Sequence, residues 1–414
     1  MKIRARFMII TLLALFPGVP VHMSGAAETP QTPVGTAPKD LSDDELGKVL
    51  EQLQHDYNIF PADAKLRHRL AVTHALIGRR RLEQRQFDEA AASYDRAREL
   101  EPDNGAFRLG RGIALYGGKH YDDALFELEQ ARLFDGESAT VLFFLGKVYY
   151  DTGNLESALE VWKKGLALAP DNADLRALIE KTTREATVEA RMGRETSSRF
   201  VISYDVATET RLANDVLDIL DTAYNRVGSD FEHYPDARIP VILYTRQEFR
   251  ATADGPEWSG GVYDGKIRLP IRGLREITPQ VRAILFHEYT HVVIRELTKG
   301  NCPTWLNEGL AMLEERQESA PTALKVAMGA PISLSVLEGS FLSLGPKEAA
   351  QAYRQSFTMV DYLVSTYGWH KVREILVNLG KGMKMDEAVS KAFADYSLDY
   401  TALIHEVQEH LQED

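Results

Sequence analysis

The sequence predicts two architectures in series: an α-solenoid of helical repeats, then an α+β domain in which a small mixed sheet is followed by helices. Two observations carry this expectation. Small and aromatic residues recur with a 34-residue step through the first half of the chain, and from Arg199 that period gives way to short β-branched and aromatic runs. At 414 residues the chain also exceeds what a single core ordinarily fills.

Four columns hold the 34-residue step: Gly78, Gly112 and Gly146; Ala90, Ala124 and Ala158; Ala97, Ala131 and Gly165; Tyr94, Leu128 and Trp162. Pro102 and Pro170 close the first and third units, and Gly136 the middle one. Small residues suit the close crossing of two helices, and large ones fill the gaps between helix pairs. This helix–turn–helix array over residues 65–172 resembles the tetratricopeptide (TPR) repeat, whose concave groove implies recruitment of a protein substrate or partner. Three repeats are about the minimum that stack stably. Ser42–Asp43–Asp44–Glu45 reads as a capping box opening a helix to about His55, which caps one end. A charged helix over 173–193 caps the other end and leads onward, so the helical-repeat domain is expected over 41–195.

The N-terminus reads as a sorting signal over residues 1–27. Lys2, Arg4 and Arg6 precede the apolar run Phe7 to Phe16, and Ser24–Gly25–Ala26–Ala27 offers small residues for cleavage. The expected location is therefore periplasmic or secreted, with membrane attachment only if the signal stays uncleaved. Residues 28–40, rich in Pro, Thr and Gly, read as a linker. Removing the leader takes three cations and no acid, moving the net charge from −13 to about −16. Such a balance argues against nucleic acid as a partner. Cys302 is the single cysteine, so packing rather than an internal disulfide must stabilise the chain.

In the second half, Phe200–Tyr204 and Ile239–Tyr244 read as strands with a helix between them, from Thr208 to Val227. Gly260–Gly261 through Gly265 reads as a turn leading to a strand over Lys266–Pro270, and the stretch from Gly260 through Pro270 is either a plain hairpin or an edge that an extended peptide could join. After Thr278 the pattern is helical.

Within one apolar helical stretch stands His287–Glu288–Tyr289–Thr290–His291. Histidines at i and i+4 share a helix face and can reach one ion, and a buried carboxylate among apolar neighbours is costly unless satisfied. Lys299–Gly–Asn–Cys–Pro–Thr304 reads as a helix stop and a new start. The following Trp305–Leu–Asn–Glu308–Gly–Leu–Ala311 then brings Glu308 back toward His291. Two histidines and one glutamate leave a fourth position open, as catalytic zinc sites do. Cys302, between these residues, is an alternative third ligand.

These motifs resemble the gluzincin metallopeptidases, in particular the peptidase-MA-like domains, most strongly over residues 280–315 and more weakly from Arg199 onward. The resemblance implies a zincin-like domain over 198–414, with His287, His291 and Glu308 as Zn2+ ligands and Glu288 as general base. It implies an enzyme hydrolysing peptide bonds, with endopeptidase action expected. An oxyanion donor is implied in the later helical part, with Tyr353 in Tyr353–Arg–Gln–Ser first and His370 second. Asn307 reads either as orienting a neighbouring backbone or ligand or as a plain helix-surface amide. The alternative is an envelope scaffold in which the repeats bind a partner and the second domain has no catalytic role. His55, His68, His74, His120 and His233 lack ligand-like spacing, and Arg79–Arg80–Arg81 reads as a solvated helix end.

Overall fold

The computed structural model describes residues 41–252, 261–318, 332–341 and 344–413. The expected leader (1–27), the linker (28–40) and Gly260 lie outside the described residues. The chain divides into two compact units, with Thr183 ending one and Arg184 beginning the main part of the other.

The first unit is helical: α1 (Asp43–Ile59), α2 (Ala64–Glu83), α3 (Phe87–Leu100), α4 (Gly105–Gly117), α5 (Tyr121–Asp135), α6 (Ala139–Asp151), α7 (Leu155–Leu168) and the start of α8 (Ala173–Glu189). The Ser42 and Glu45 side chains close a reciprocal capping box at α1. The columns legible in the sequence meet one another. An added Cβ at Gly78 would lie 2.8 Å from the Tyr94 ring, at Gly112 2.8 Å from Leu128, and at Gly146 2.1 Å from the indole of Trp162. Each glycine thus makes the cleft that the large residue sixteen positions later occupies. Trp162 completes its burial by donating Nε1–H to the Phe143 carbonyl at 2.9 Å.

The unit boundary falls inside α8, earlier than the expected end near residue 195. Its last turns belong with the second unit for a physical reason. Val188 and Met192 pack on Ile242, Tyr244 and Phe249, and Glu185 is fully buried against cations of the sheet.

The second unit opens with β1 (Gly193–Thr196), β2 (Phe200–Tyr204), α9 (Val206–Phe231), β3 (Ile239–Leu243), α10 (Arg246–Thr252), β4 (Val262–Tyr263) and β5 (Ile267–Leu269). Helices follow: α11 (Pro279–Thr298), α12 (Thr304–Arg316), α13 (Leu334–Leu337), α14 (Pro346–Gly380), α15 (Met385–Ala392) and α16 (Tyr400–Glu413). The sheet order is β1-β2-β3-β5-β4, with the three inner strands parallel and both edge strands antiparallel. The β2–α9–β3 crossover makes the first parallel pair. Period-two alternation splits the sheet: Phe200, Ile202, Val241, Leu243, Ile267 and Leu269 face the main core, against α9, α11 and α14. Strand β1, whose residues are mostly exposed, was not expected from the sequence, having no apolar run to mark it.

On the opposite face Arg268 is fully buried. It binds Glu185 at 3.1 Å, Asp264 at 3.0 Å and the Tyr244 hydroxyl at 2.8 Å, with buried Lys266 beside Glu185 at 3.7 Å. Removing one member of such a cluster leaves the others charged and dry. Arg268→Ala is therefore expected to destabilise the second unit by about 3–5 kcal/mol, read as an earlier urea midpoint of its transition. A midpoint within error of wild type would show that the cluster is not holding β5.

Candidate metal centre

Helix α11 begins with Thr278, whose side chain caps the Val281 amide, and Pro279 in the first turn. It ends on two left-handed residues, Lys299 (φ 51°) and Gly300 (φ 75°), which turn the chain sharply. Asn301 anchors this turn by donating Nδ2–H bonds to the Leu379 and Met383 carbonyls, both at 2.9 Å. Pro303 then starts α12, which packs on α11. A third helix presses on both. An added Cβ at Gly309 would lie 2.4 Å from the Ser356 carbonyl oxygen, and one at Gly380 2.0 Å from that of Leu297. Backbone contact at these two points locks α14 against α12 and α11.

The packing brings His287, His291 and Glu308 together; among the described residues they are the one cluster of such side chains spaced to share an ion. The two Nε2 atoms are 3.1 Å apart, and each is 3.6 Å from the same Glu308 oxygen. A point equidistant from these three atoms lies about 2.0 Å from each, the length of a zinc–nitrogen or zinc–oxygen bond. The outer nitrogens are held as well. His287 Nδ1 lies 3.0 Å from a Glu315 carboxylate oxygen, and His291 Nδ1 3.1 Å from the Asn307 amide oxygen. These acceptors suit outward donation from each Nδ1, and both Nε2 atoms face inward toward Glu308. Two ring nitrogens facing one carboxylate oxygen favour positive charge among them, and the donor set fits a divalent ion.

The local electrostatics draw positive charge to the same place. Burial opposes charge on His287, but the Glu308 and Glu315 carboxylates on either side hold its pKa well above the usual histidine value. Burial likewise works against the Glu308 carboxylate, and the His291 and His287 rings overcome it, holding Glu308 ionised far below the usual range. Glu288 is 5% exposed and stands outside the triad. Burial raises its pKa against the pull of the two imidazoles.

Tyr353, on α14, packs edge-on against Phe341 with ring centroids 5.2 Å apart. Burial, and then the charges of Glu308 and Glu288, push its pKa up, so the hydroxyl stays protonated within reach of the site's field. His370, the second expected donor, is exposed just beyond the Gly368 kink in α14, and the nearby charge it acts on is Asp395. Cys302 stays in the α11–α12 turn, outside the triad, with burial and Glu308 pushing its thiol pKa up. Sequence reasoning missed Glu315. Its signal was present: Glu315 lies seven residues after Glu308, two helical turns along the same face.

Comparison with known proteins gives a Peptidase MA superfamily match over residues 236–413, a tetratricopeptide repeat match over 76–138 and a TPR repeat match over 146–179. The chain thus carries a Peptidase MA superfamily domain and TPR repeats. Among curated relatives, it is 31% identical over 106 residues to the Hsp70-Hsp90 organizing protein of Triticum aestivum, covering 26% of this chain and 18% of that protein. It is 26% identical over 133 residues to the mitochondrial import receptor subunit TOM70 of Homo sapiens, covering 32% and 22%. With the TPR repeat-containing thioredoxin TTL4 of Arabidopsis thaliana it shares 33% over 112 residues, 26% and 16% of the two chains. The chain spans about a fifth of the length of these relatives.

Glu315→Ala removes the acceptor that orients the His287 ring. It is expected to weaken divalent metal binding by about 10–100-fold, measured by competition with a chromophoric chelator. Unchanged affinity would mean that packing alone aims this imidazole.

Proposed function

We propose that the second unit is a zinc-dependent peptidase of the gluzincin type, with a zincin-like α+β arrangement, and that the repeats recruit its protein substrate or a partner. The observation that carries this reading is the set of three converging donors with a buried, non-participating carboxylate, Glu288, on the same helix. His287, His291 and Glu308 would hold the ion. When bound, zinc supplies Lewis acidity and a water acidified toward neutrality.

The chain's own residues supply the rest. Glu288, its pKa raised by burial, is suited to accept a proton from the attacking water and return it to the leaving amine. Glu315 and Asn307 keep both imidazoles in the inward-facing tautomer. Tyr353, held protonated, is the donor for the oxyanion that develops on the scissile carbonyl. Strand β4 is at the sheet edge and packs on α11 beside Glu288; its outer side, with no strand partner among the described residues, can pair with an extended substrate backbone. A substrate held by its backbone rather than by a terminus favours endopeptidase action.

A second reading is a scaffold in which the repeats bind a partner and the metal domain is non-catalytic. Its support is that a similar segment of about a hundred residues occurs in an Hsp70-Hsp90 organizing protein and in a TPR repeat-containing thioredoxin, neither of them named as a peptidase.

One comparison separates the two. Glu288→Ala should retain about one zinc per chain while losing cleavage of a casein-type substrate, whereas His287→Ala should lose the zinc itself. Equal behaviour of wild type and Glu288→Ala on every substrate would establish the scaffold. Tyr353→Phe is expected to lower kcat by about 10²–10³-fold with KM little changed. An unaltered kcat would remove Tyr353 from the oxyanion role.

A further inference from the structure

We propose that Gly261 is the positioning residue for Glu288: its missing side chain lets the backbone entering β4 lie directly against the Glu288 side chain and fix its orientation. The inference rests on the reading of Glu288 as general base, and it assigns a role to a residue outside the helices that carry the metal-site motifs.

Gly261 is buried and its φ is not positive, so backbone conformation does not demand a glycine there. Space does. A Cβ at position 261 would lie 2.9 Å from Glu288 Cγ, 2.9 Å from its Oε1 and 3.1 Å from Ile284 Cγ2. Carbon atoms in good contact sit about 3.5–4.0 Å apart, so an alanine forces movement. The carboxylate tip alone cannot relieve the clash, because Cγ is equally close and moves only with a change of χ1. Few χ1 values are open to a residue inside a helix. Ile284, one turn earlier on α11, fills the space on its own side.

The strand is poorly placed to yield instead. Beyond Gly261, β4 pairs with β5 through Val262 opposite Arg268 and Tyr263 opposite Ile267. Arg268 is buried in its cluster with Glu185 and Asp264. The Tyr263 ring carries the Arg295 guanidinium of α11 at 5.7 Å from its centroid. A larger residue at 261 therefore drives Glu288 out of its rotamer while leaving His287, His291 and Glu308 untouched.

The test uses the full-length, zinc-loaded protein. Gly261→Ala is expected to bind as much zinc as wild type, to keep KM within about threefold and to lose about 10–100-fold in kcat. A melting cycle supplies a readout independent of turnover. Gly261→Ala should lower the melting temperature by about 3–8 °C in the wild-type background, but by less than about 2 °C once Glu288→Ala has removed the opposing side chain. Wild-type kcat in Gly261→Ala, loss of its zinc, or an equal melting penalty in both backgrounds would overturn the proposal. A wild type that cleaves nothing overturns the peptidase reading instead, and the melting cycle still decides whether Gly261 holds Glu288.

Discussion

The second unit depends on one constraint: two imidazole nitrogens and a carboxylate oxygen are held within 3.1–3.6 Å of one another, an arrangement that calls for positive charge among them. No short segment of chain could impose this. It comes from the left-handed turn at Lys299–Gly300, the anchoring of Asn301 onto the end of α14, and the two glycines at which α14 meets α12 and α11 backbone to backbone. Close-packed helices have little freedom to relax, so the donors stay where the packing puts them.

Around this centre the unit divides its labour between two faces of one sheet. The apolar face supplies the core against which α9, α11 and α14 pack, and so fixes the height and rotation of the helix bearing His287 and His291. The other face buries Arg268 and Lys266 against Glu185 from α8. Buried ion pairs are weak sources of stability, but they penalise any register in which one partner is lost. The cluster thus specifies where β5 lies, and through β5 the position of β4 beside Glu288.

The neighbours of the triad matter as much as its members. Glu315 and Asn307 decide which nitrogen of each ring is available, and neither needs to touch an ion to do so. Tyr353 answers to the same field, since the charges of Glu308 and Glu288 help keep its hydroxyl protonated. The TPR-bearing first unit is built by a simpler rule, in which each glycine opens the cleft that a large residue in the next helix fills.

The sequence by itself determined the features that repeat or lie close together along the chain. The 34-residue columns announced the helical repeats because each unit solves the same packing problem. The histidine pair on one turn and the Glu308 motif one helix later were legible because helical spacing and turn chemistry act over a few residues. Strand β1 was not legible, because an exposed edge strand needs no apolar alternation. Where within the connecting helix the first unit ends was not legible, because burial of Glu185 and Val188 depends on strands far along the chain. Only the tertiary structure decided that Glu315 faces His287, that Cys302 and His370 are not members of the triad, and that Gly261 lies against Glu288. Those relations join separate elements, and side-chain direction and the distance between packed backbones have no local signature.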